Sequence, residues 1–200
     1  MFDKDNSTSF IDLLFNLLVC ITILLFIAIL MIKIESVKKE DVKALTKYMI
    51  VMTWDSKSND DVDLYAINSA LTAPIYFNNR SGGLMFLDHD DLGRISDVVI
   101  VNGVPQTVES NHEVIYIKDI IEGEYIFNVH MYSKRDAGST KITIELYAFE
   151  PYALIEIREL FLTYKGEEQT IVRLTFDKNR KIISRSYLYK HLSLFAAVAP

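Results

Sequence analysis

The stretch that decides the architecture is FIDLLFNLLVCITILLFIAILMIKI, residues 10–34. It contains twenty consecutive residues without a charge, at positions 13–32. A helix rises about 1.5 Å per residue, so this run covers the roughly 30 Å hydrocarbon core of a bilayer. The run is longer than the apolar part of a cleaved signal peptide, and no small-residue cleavage site follows it. We therefore predict a retained transmembrane helix at residues 9–34, preceded by a short tail at residues 1–8.

Polar side chains interrupt the apolar run. Asp12, Asn16 and Cys20 follow one another at steps of four, which places them along one face of a helix. Ser9 lies beside this face, and Thr22 is a further polar residue of the span. Polar groups that face lipid cost free energy, so we expect this face to contact another protein chain or a wet path. Asp12 alone could be a first-turn residue favoured by the helix dipole, but that alternative does not account for Asn16.

Residues 6–14, NSTSFIDLL, resemble the N-terminus of the ExbD/TolR/MotB proteins, the small subunits of ion-driven membrane motors. Thr8, Phe10, Ile11 and Asp12 match the signature before the single span of that family, and Ser9 stands where the family has Pro. The resemblance extends over about residues 6–34. It implies that Asp12 carries the translocated proton. It also implies a homodimer of this chain inside a pentameric ring of MotA/ExbB/TolQ-like membrane proteins.

The resemblance further implies a single-pass protein of the bacterial inner membrane, with a cytoplasmic N-terminus and a periplasmic C-terminal domain. The distribution of basic residues favours the opposite orientation, because cytoplasmic flanks are usually rich in Lys and Arg. Only Lys4 precedes the span, whereas five lysines lie at or beyond its C-terminal end: Lys33, Lys38, Lys39, Lys43 and Lys47. We follow the resemblance, because a ring of partner subunits also orients the chain within it.

Residues 35–47, ESVKKEDVKALTK, contain helix formers and neither Gly nor Pro, which predicts a short helical neck. From residue 48 the pattern changes to period two with β-branched and aromatic residues, as is typical of strands. The predicted strands are 48–54, 62–68, 75–77, 84–87, 98–101, 113–117, 124–132, 141–149, 153–162, 169–176 and 181–187. Short strands at this spacing, separated by Gly, Asn, Asp and Ser, predict an antiparallel β-sandwich domain at residues 48–200.

Several motifs of this region resemble the YfaP-type bacterial β-sandwich and, more loosely, the TerD-type stress proteins. They are TWD at 53–55, DDVDLY at 60–65, IYFNNRSGG at 75–83, LDHD at 87–90 and GEYIFNV at 123–129. The resemblance covers about residues 48–150. It implies a sandwich fold and does not specify a ligand.

Two acidic segments of the β region, 55–63 and 88–91, contain candidate metal ligands. The residues are Asp55, Asp61, Asp63, Asp88 and Asp90. A sandwich could bring the two segments together, and calcium binds six to eight oxygen atoms. The alternative is that these are ordinary, solvated turn residues. We favour the alternative here, because the segments lack the D-x-D-x-D-G regularity of a loop that binds calcium alone.

The remaining features exclude several functional classes. The net charge of −6 argues against a nucleic-acid partner, and the single Cys20 excludes a disulfide framework and a Cys-based zinc site. No P-loop, G-x-S-x-G or H-E-x-x-H motif is present, so we expect no catalytic residue and no enzyme activity. The resemblance to the motor subunits implies a proton-driven motor subunit of five-to-two stoichiometry that acts on an unknown periplasmic or envelope partner. The alternative is a membrane-tethered β-sandwich that binds calcium, a glycan or an envelope protein.

Overall fold

The computed structural model describes residues 4–31 and 46–196. The chain divides into two compact units, residues 1–43 and residues 44–200. In the first unit the described residues form the α-helix α1, at Lys4–Met31. Its side chains are exposed throughout residues 10–27, and this part is long and apolar enough to cross a membrane. No other helix in the described ranges has this property.

The helix α1 begins earlier than the predicted span, because residues 4–8 of the predicted tail are already helical. Residues 32–34 of the span and residues 35–45 of the predicted neck lie outside the described residues. Between residues 10 and 27 the large apolar side chains of α1 are exposed. A helix this apolar is stable where lipid or another protein surface covers it.

The second unit is built from β-strands, numbered here in chain order. They are β1 (Tyr48–Trp54), β2 (Asp61–Asn68), β3 (Ser81–Gly82), β4 (Met85–Leu87), β5 (Val98–Val101), β6 (Val104–Thr107), β7 (Asn111–Ile117), β8 (Gly123–Ser133), β9 (Thr140–Phe149), β10 (Tyr152–Leu162), β11 (Glu168–Phe176) and β12 (Ile182–Ser186). A short helix, α2, follows at Ser193–Ala196. The prediction of one apolar helix followed by an antiparallel β domain is confirmed.

The strands form two larger sheets and one hairpin, and every strand pair is antiparallel. The first sheet has the order β10-β9-β1-β7-β4-β3 and the second has the order β12-β11-β8-β2. The strands β5 and β6 form a separate hairpin. Asn102 and Gly103 at its tip both have positive φ, of 53° and 80°, which is the geometry of a two-residue hairpin turn.

The two larger sheets share one hydrophobic core. Side chains alternate between buried and partly exposed along β9, and Ile142, Ile144 and Leu146 point inward. They belong to the same buried cluster as Phe127 of β8 and Leu174 of β11, which are strands of the second sheet. The period-two pattern of the sequence therefore describes which face of each strand lies against the core.

The strand predictions differ from the structure in three short segments. The predicted strand at 75–77 makes only isolated bridges, in which Ile75 pairs with Ala66 and Tyr76 pairs with Asn79. The strands β3 and β6 were not predicted. Strand β3 has only two residues, and β6 contains Pro105, a residue that lacks a backbone N–H and is rare in strand interiors.

Candidate functional site

Three side chains in the apolar part of α1, those of Asp12, Asn16 and Cys20, share one narrow face. At about 100° per residue, Asn16 and Cys20 lie within about 80° of Asp12, and the backbone position of Ser9 falls between them. Thr22 lies about 80° from Asp12 in the opposite direction, so the helix geometry separates it from this face. The Thr22 hydroxyl donates to the Val19 carbonyl at 2.8 Å, which satisfies it within the helix.

A second group of polar residues is buried in the β unit. Asp61 and Asp63 are part of β2, Glu113 is part of β7, and Asp90 follows β4. The register pairs Glu113 with Met52 of β1, and both side chains are fully buried between the sheets. The Leu64 N–H of β2 donates to Glu113 Oε2 at 2.7 Å, so this carboxylate links a strand of each sheet.

Three of these carboxylates form a tight cluster, which we call the carboxylate cluster: Asp63, Asp90 and Glu113. One oxygen atom of each lies within 4.8 Å of the others. Asp63 is 2% exposed and Glu113 is 0% exposed, while Asp90 is half-buried. Asp63 Oδ2 and Asp90 Oδ1 are buried and accept no hydrogen bond from the described residues. The same is true of Oδ1 of the neighbouring Asp61.

Few cationic groups approach these oxygens. Arg135 lies 3.5 Å from Asp61 Oδ2, and its other nitrogen donates to the backbone carbonyls of Asn59 and Leu92. His130 Nδ1 lies 3.8 Å from Asp63 Oδ2, which is too long for a hydrogen bond. The negative charges of the carboxylate cluster are therefore poorly compensated by the part of the protein that the structure describes.

Burial and mutual repulsion change the acidity of these groups. Burial raises the pKa of Asp63, and it raises the pKa of Glu113 well above its ordinary value, with a further contribution from the Asp63 charge. Burial and the adjacent Asp63 carboxylate raise the pKa of Asp61 to about 6, although Arg135 opposes the shift. The raised pKa values mean that the ionised forms of these carboxylates are destabilised by their surroundings.

A fully bonded acid, Asp60, lies immediately before them. It is 0% exposed and accepts hydrogen bonds from the backbone N–H groups of Arg135 at 2.6 Å and Asp136 at 2.8 Å. Lys134 Nζ at 2.7 Å and the Thr140 hydroxyl complete its surroundings. Burial acts to raise the pKa of Asp60, but these hydrogen bonds outweigh burial and lower it.

The structure brings together only some of the predicted metal ligands. Asp63 and Asp90 belong to the carboxylate cluster, and Asp61 borders it. Asp55 and Asp88 are exposed, and Asp55 Oδ1 accepts the Lys57 N–H in a turn. The prediction missed Glu113, although the sequence contains a signal for it. Glu113 shares the inward face of β7 with Ile115 and Ile117, which period two shows directly.

No protein-family model, curated protein or solved structure matches this chain. The resemblances of α1 to the motor subunits and of the β unit to the YfaP-type and TerD-type proteins therefore stay predictions. The chemistry that bears on function lies in the polar face of α1 and in the carboxylate cluster.

Proposed function

We propose that this chain is the small subunit of a proton-driven rotary membrane motor, in which Asp12 carries the proton. The observation that supports this proposal is a single carboxylate, Asp12, in the apolar part of α1 at residues 10–27, followed by an uncharged run. An ionisable residue in such a segment is costly unless it has a function. Asp12 binds a proton and becomes neutral, then releases it and becomes an anion, and the change in charge alters its attraction to the surrounding subunits.

The polar face of α1 supports the proposed assembly. Asn16 and Cys20 continue the face of Asp12 deeper into the apolar run. In a lone membrane anchor these polar groups would face lipid, which costs free energy. In the proposed complex two copies of α1 lie inside a pentameric MotA/ExbB/TolQ-like ring. Their polar faces line the path by which protons reach Asp12.

The β unit is the part that the proposed motor moves. In this proposal the N-terminus is cytoplasmic, the helix spans the bacterial inner membrane, and the β unit lies in the periplasm. There it transmits rotation or pulling to an envelope partner. The lysines that follow the span oppose this orientation by the usual charge rule, and a ring that clamps the helix outweighs them in the proposal.

The proposal is tested by Asp12→Asn in the full-length chain, expressed with an affinity tag in cells that contain its partner. We expect wild-type chain to co-purify with a larger membrane protein at five copies to two, measured by native mass spectrometry. Asn keeps the size and polarity of Asp but cannot exchange a proton. Asp12→Asn should therefore keep the complex and abolish proton flux in reconstituted liposomes. Asp12→Glu, which keeps a carboxylate, is the matched control and should retain flux.

A second candidate function is favoured by the carboxylate cluster. In it α1 is only a membrane tether, and the β unit is a binding module. This candidate expects no ring protein in the purified complex and full activity of Asp12→Asn. Either result contradicts the motor proposal.

A further inference from the structure

The carboxylate cluster brings three acidic groups together inside the β unit without matching positive charges among the described residues. Three carboxylates with oxygens within 4.8 Å repel one another strongly where water is excluded. Such a group can be neutralised by protons, by cationic side chains or by a bound metal ion. The contacts of each residue decide among these three solutions.

Cationic side chains do not solve the problem in the described part of the chain. Arg135 contacts Asp61, which borders the cluster, and is held there by two backbone carbonyls. His130 approaches only Asp63 and remains 3.8 Å away. The nearby Lys134 is committed to Asp60 at 2.7 Å.

Two opposing effects act on a proton at Glu113. Burial and the Asp63 charge raise the pKa of Glu113, whereas hydrogen bonds from the Leu64 N–H to Oε2 at 2.7 Å and from the Asp91 N–H to Oε1 at 3.4 Å act to lower it. A cation bound beside this carboxylate would hold it ionised while both hydrogen bonds are kept. The buried Asp63 Oδ2 and Asp90 Oδ1, which accept no hydrogen bond from described residues, are in turn free to bind a cation.

We propose that Asp63, Asp90 and Glu113 bind one calcium ion between the two sheets. Three carboxylates are hard oxygen ligands, which suit Ca²⁺ or Mg²⁺ and not the softer metals that select Cys or His. Oxygens that bind one Ca²⁺ at about 2.4 Å lie no more than about 4.8 Å apart, and the cluster satisfies this limit. Mg²⁺ usually keeps several waters and is bound through one or two carboxylates, so a set of three protein carboxylates favours calcium. Water completes the coordination shell.

The ion has a structural consequence. Asp63 is on β2 of the second sheet, Glu113 is on β7 of the first sheet, and Asp90 is in the segment between β4 and the hairpin. One calcium ion therefore cross-links both sheets and a connecting loop. Because the ion binds the folded and not the unfolded chain, it raises the melting temperature of the β unit. This inference does not depend on the role of Asp12.

The experiment uses the full-length chain in detergent after treatment with EDTA and removal of the chelator. Calcium chloride is titrated in, with binding measured by calorimetry and unfolding followed by fluorescence of Trp54. This residue is the single Trp of the chain and is buried beside Asp60 in the β unit. We expect one Ca²⁺ per chain, a higher melting temperature, and weaker binding of Mg²⁺.

The variants are Glu113→Gln and Asp90→Asn, and each should weaken calcium binding about tenfold or more. Both remove one of several repelling charges, so both should fold, which the Trp54 transition checks. Asp88→Asn is the matched control, since it removes an exposed acid two residues from Asp90 and should bind like wild type. Absence of calcium binding to wild type, unchanged binding in both cluster variants, or a preference for Mg²⁺ overturns the proposal.

Discussion

Two buried acidic groups lie side by side in the β unit and differ in one respect. Asp60 is surrounded by donors, namely two backbone N–H groups, an ammonium and a hydroxyl. The carboxylate cluster, which begins three residues later with Asp63, has buried oxygens that accept no hydrogen bond from described residues. Burial alone therefore does not distinguish Asp60 from Asp63. The two differ in the number of donors that the fold directs at their oxygens, and the calcium proposal rests on that difference.

The largest expected effect is at Asp60. Asp60→Ala leaves two backbone N–H groups without their acceptor and removes the carboxylate from the half-buried Lys134 ammonium, which keeps only the Asp136 carbonyl. We expect the free energy of unfolding to fall by about 3–5 kcal/mol, as for other broken buried ion pairs. The measurement is denaturant unfolding of the full-length chain in detergent, followed by Trp54 fluorescence. Asp55→Ala, at an exposed acid in the same segment, is the control and should change stability by no more than about 0.5 kcal/mol.

The opposite sign is expected at Glu113 when no calcium is present. Glu113→Gln removes one repelling charge, and its amide oxygen still accepts the Leu64 N–H. Its NH₂ group gives up the 3.4 Å contact with the Asp91 N–H and donates to a neighbouring carboxylate instead. We expect the free energy of unfolding in EDTA to rise by about 1 kcal/mol. Equilibrium denaturation in parallel with wild type measures the difference. If Glu113→Gln instead lowered the free energy of unfolding as much as Asp60→Ala does, Glu113 would be a structural acid like Asp60 and this prediction would be wrong.

The smallest effect concerns Asp136, a partly exposed acid that supports the Asp60 region. Hydrogen bonds from the Asn59 side chain, the Ser58 hydroxyl and the Asn59 N–H lower the pKa of Asp136 to about 2. Because the pKa in the folded state is below the ordinary 3.8, its contribution to stability is present above about pH 4 and is lost as the pH falls toward 2.

We expect Asp136→Asn to be less stable than wild type by about 1 kcal/mol or less at pH 6, because solvent screens this group. The difference between the two proteins should shrink at pH 3. Denaturant unfolding at both pH values measures this difference in the free energy of unfolding. A difference that is the same at pH 3 and pH 6 would mean that the lost stability does not depend on the charge of Asp136. Comparison within each pH cancels the titration of the other acids.

Local patterns in the sequence determined most of the architecture. The uncharged run predicts α1, because about twenty residues at a rise of about 1.5 Å each match the roughly 30 Å thickness of the hydrocarbon core. The predicted strands 48–54 and 98–101 coincide with β1 and β5, because alternation and β-branched residues act between immediate neighbours. The four-residue spacing of Asp12, Asn16 and Cys20 likewise defines a helix face without tertiary information.

Only the tertiary structure decided which acids meet. Asp60 and Asp63 are almost adjacent, yet one meets the loop after β8 and the other meets β7, which is far away in the sequence. That separation arises from strand pairing and from the stacking of two sheets, which no local pattern encodes. Glu113 has the inward position that period two predicts, but its partners Asp63 and Asp90 are brought to it only when the sheets close on one core.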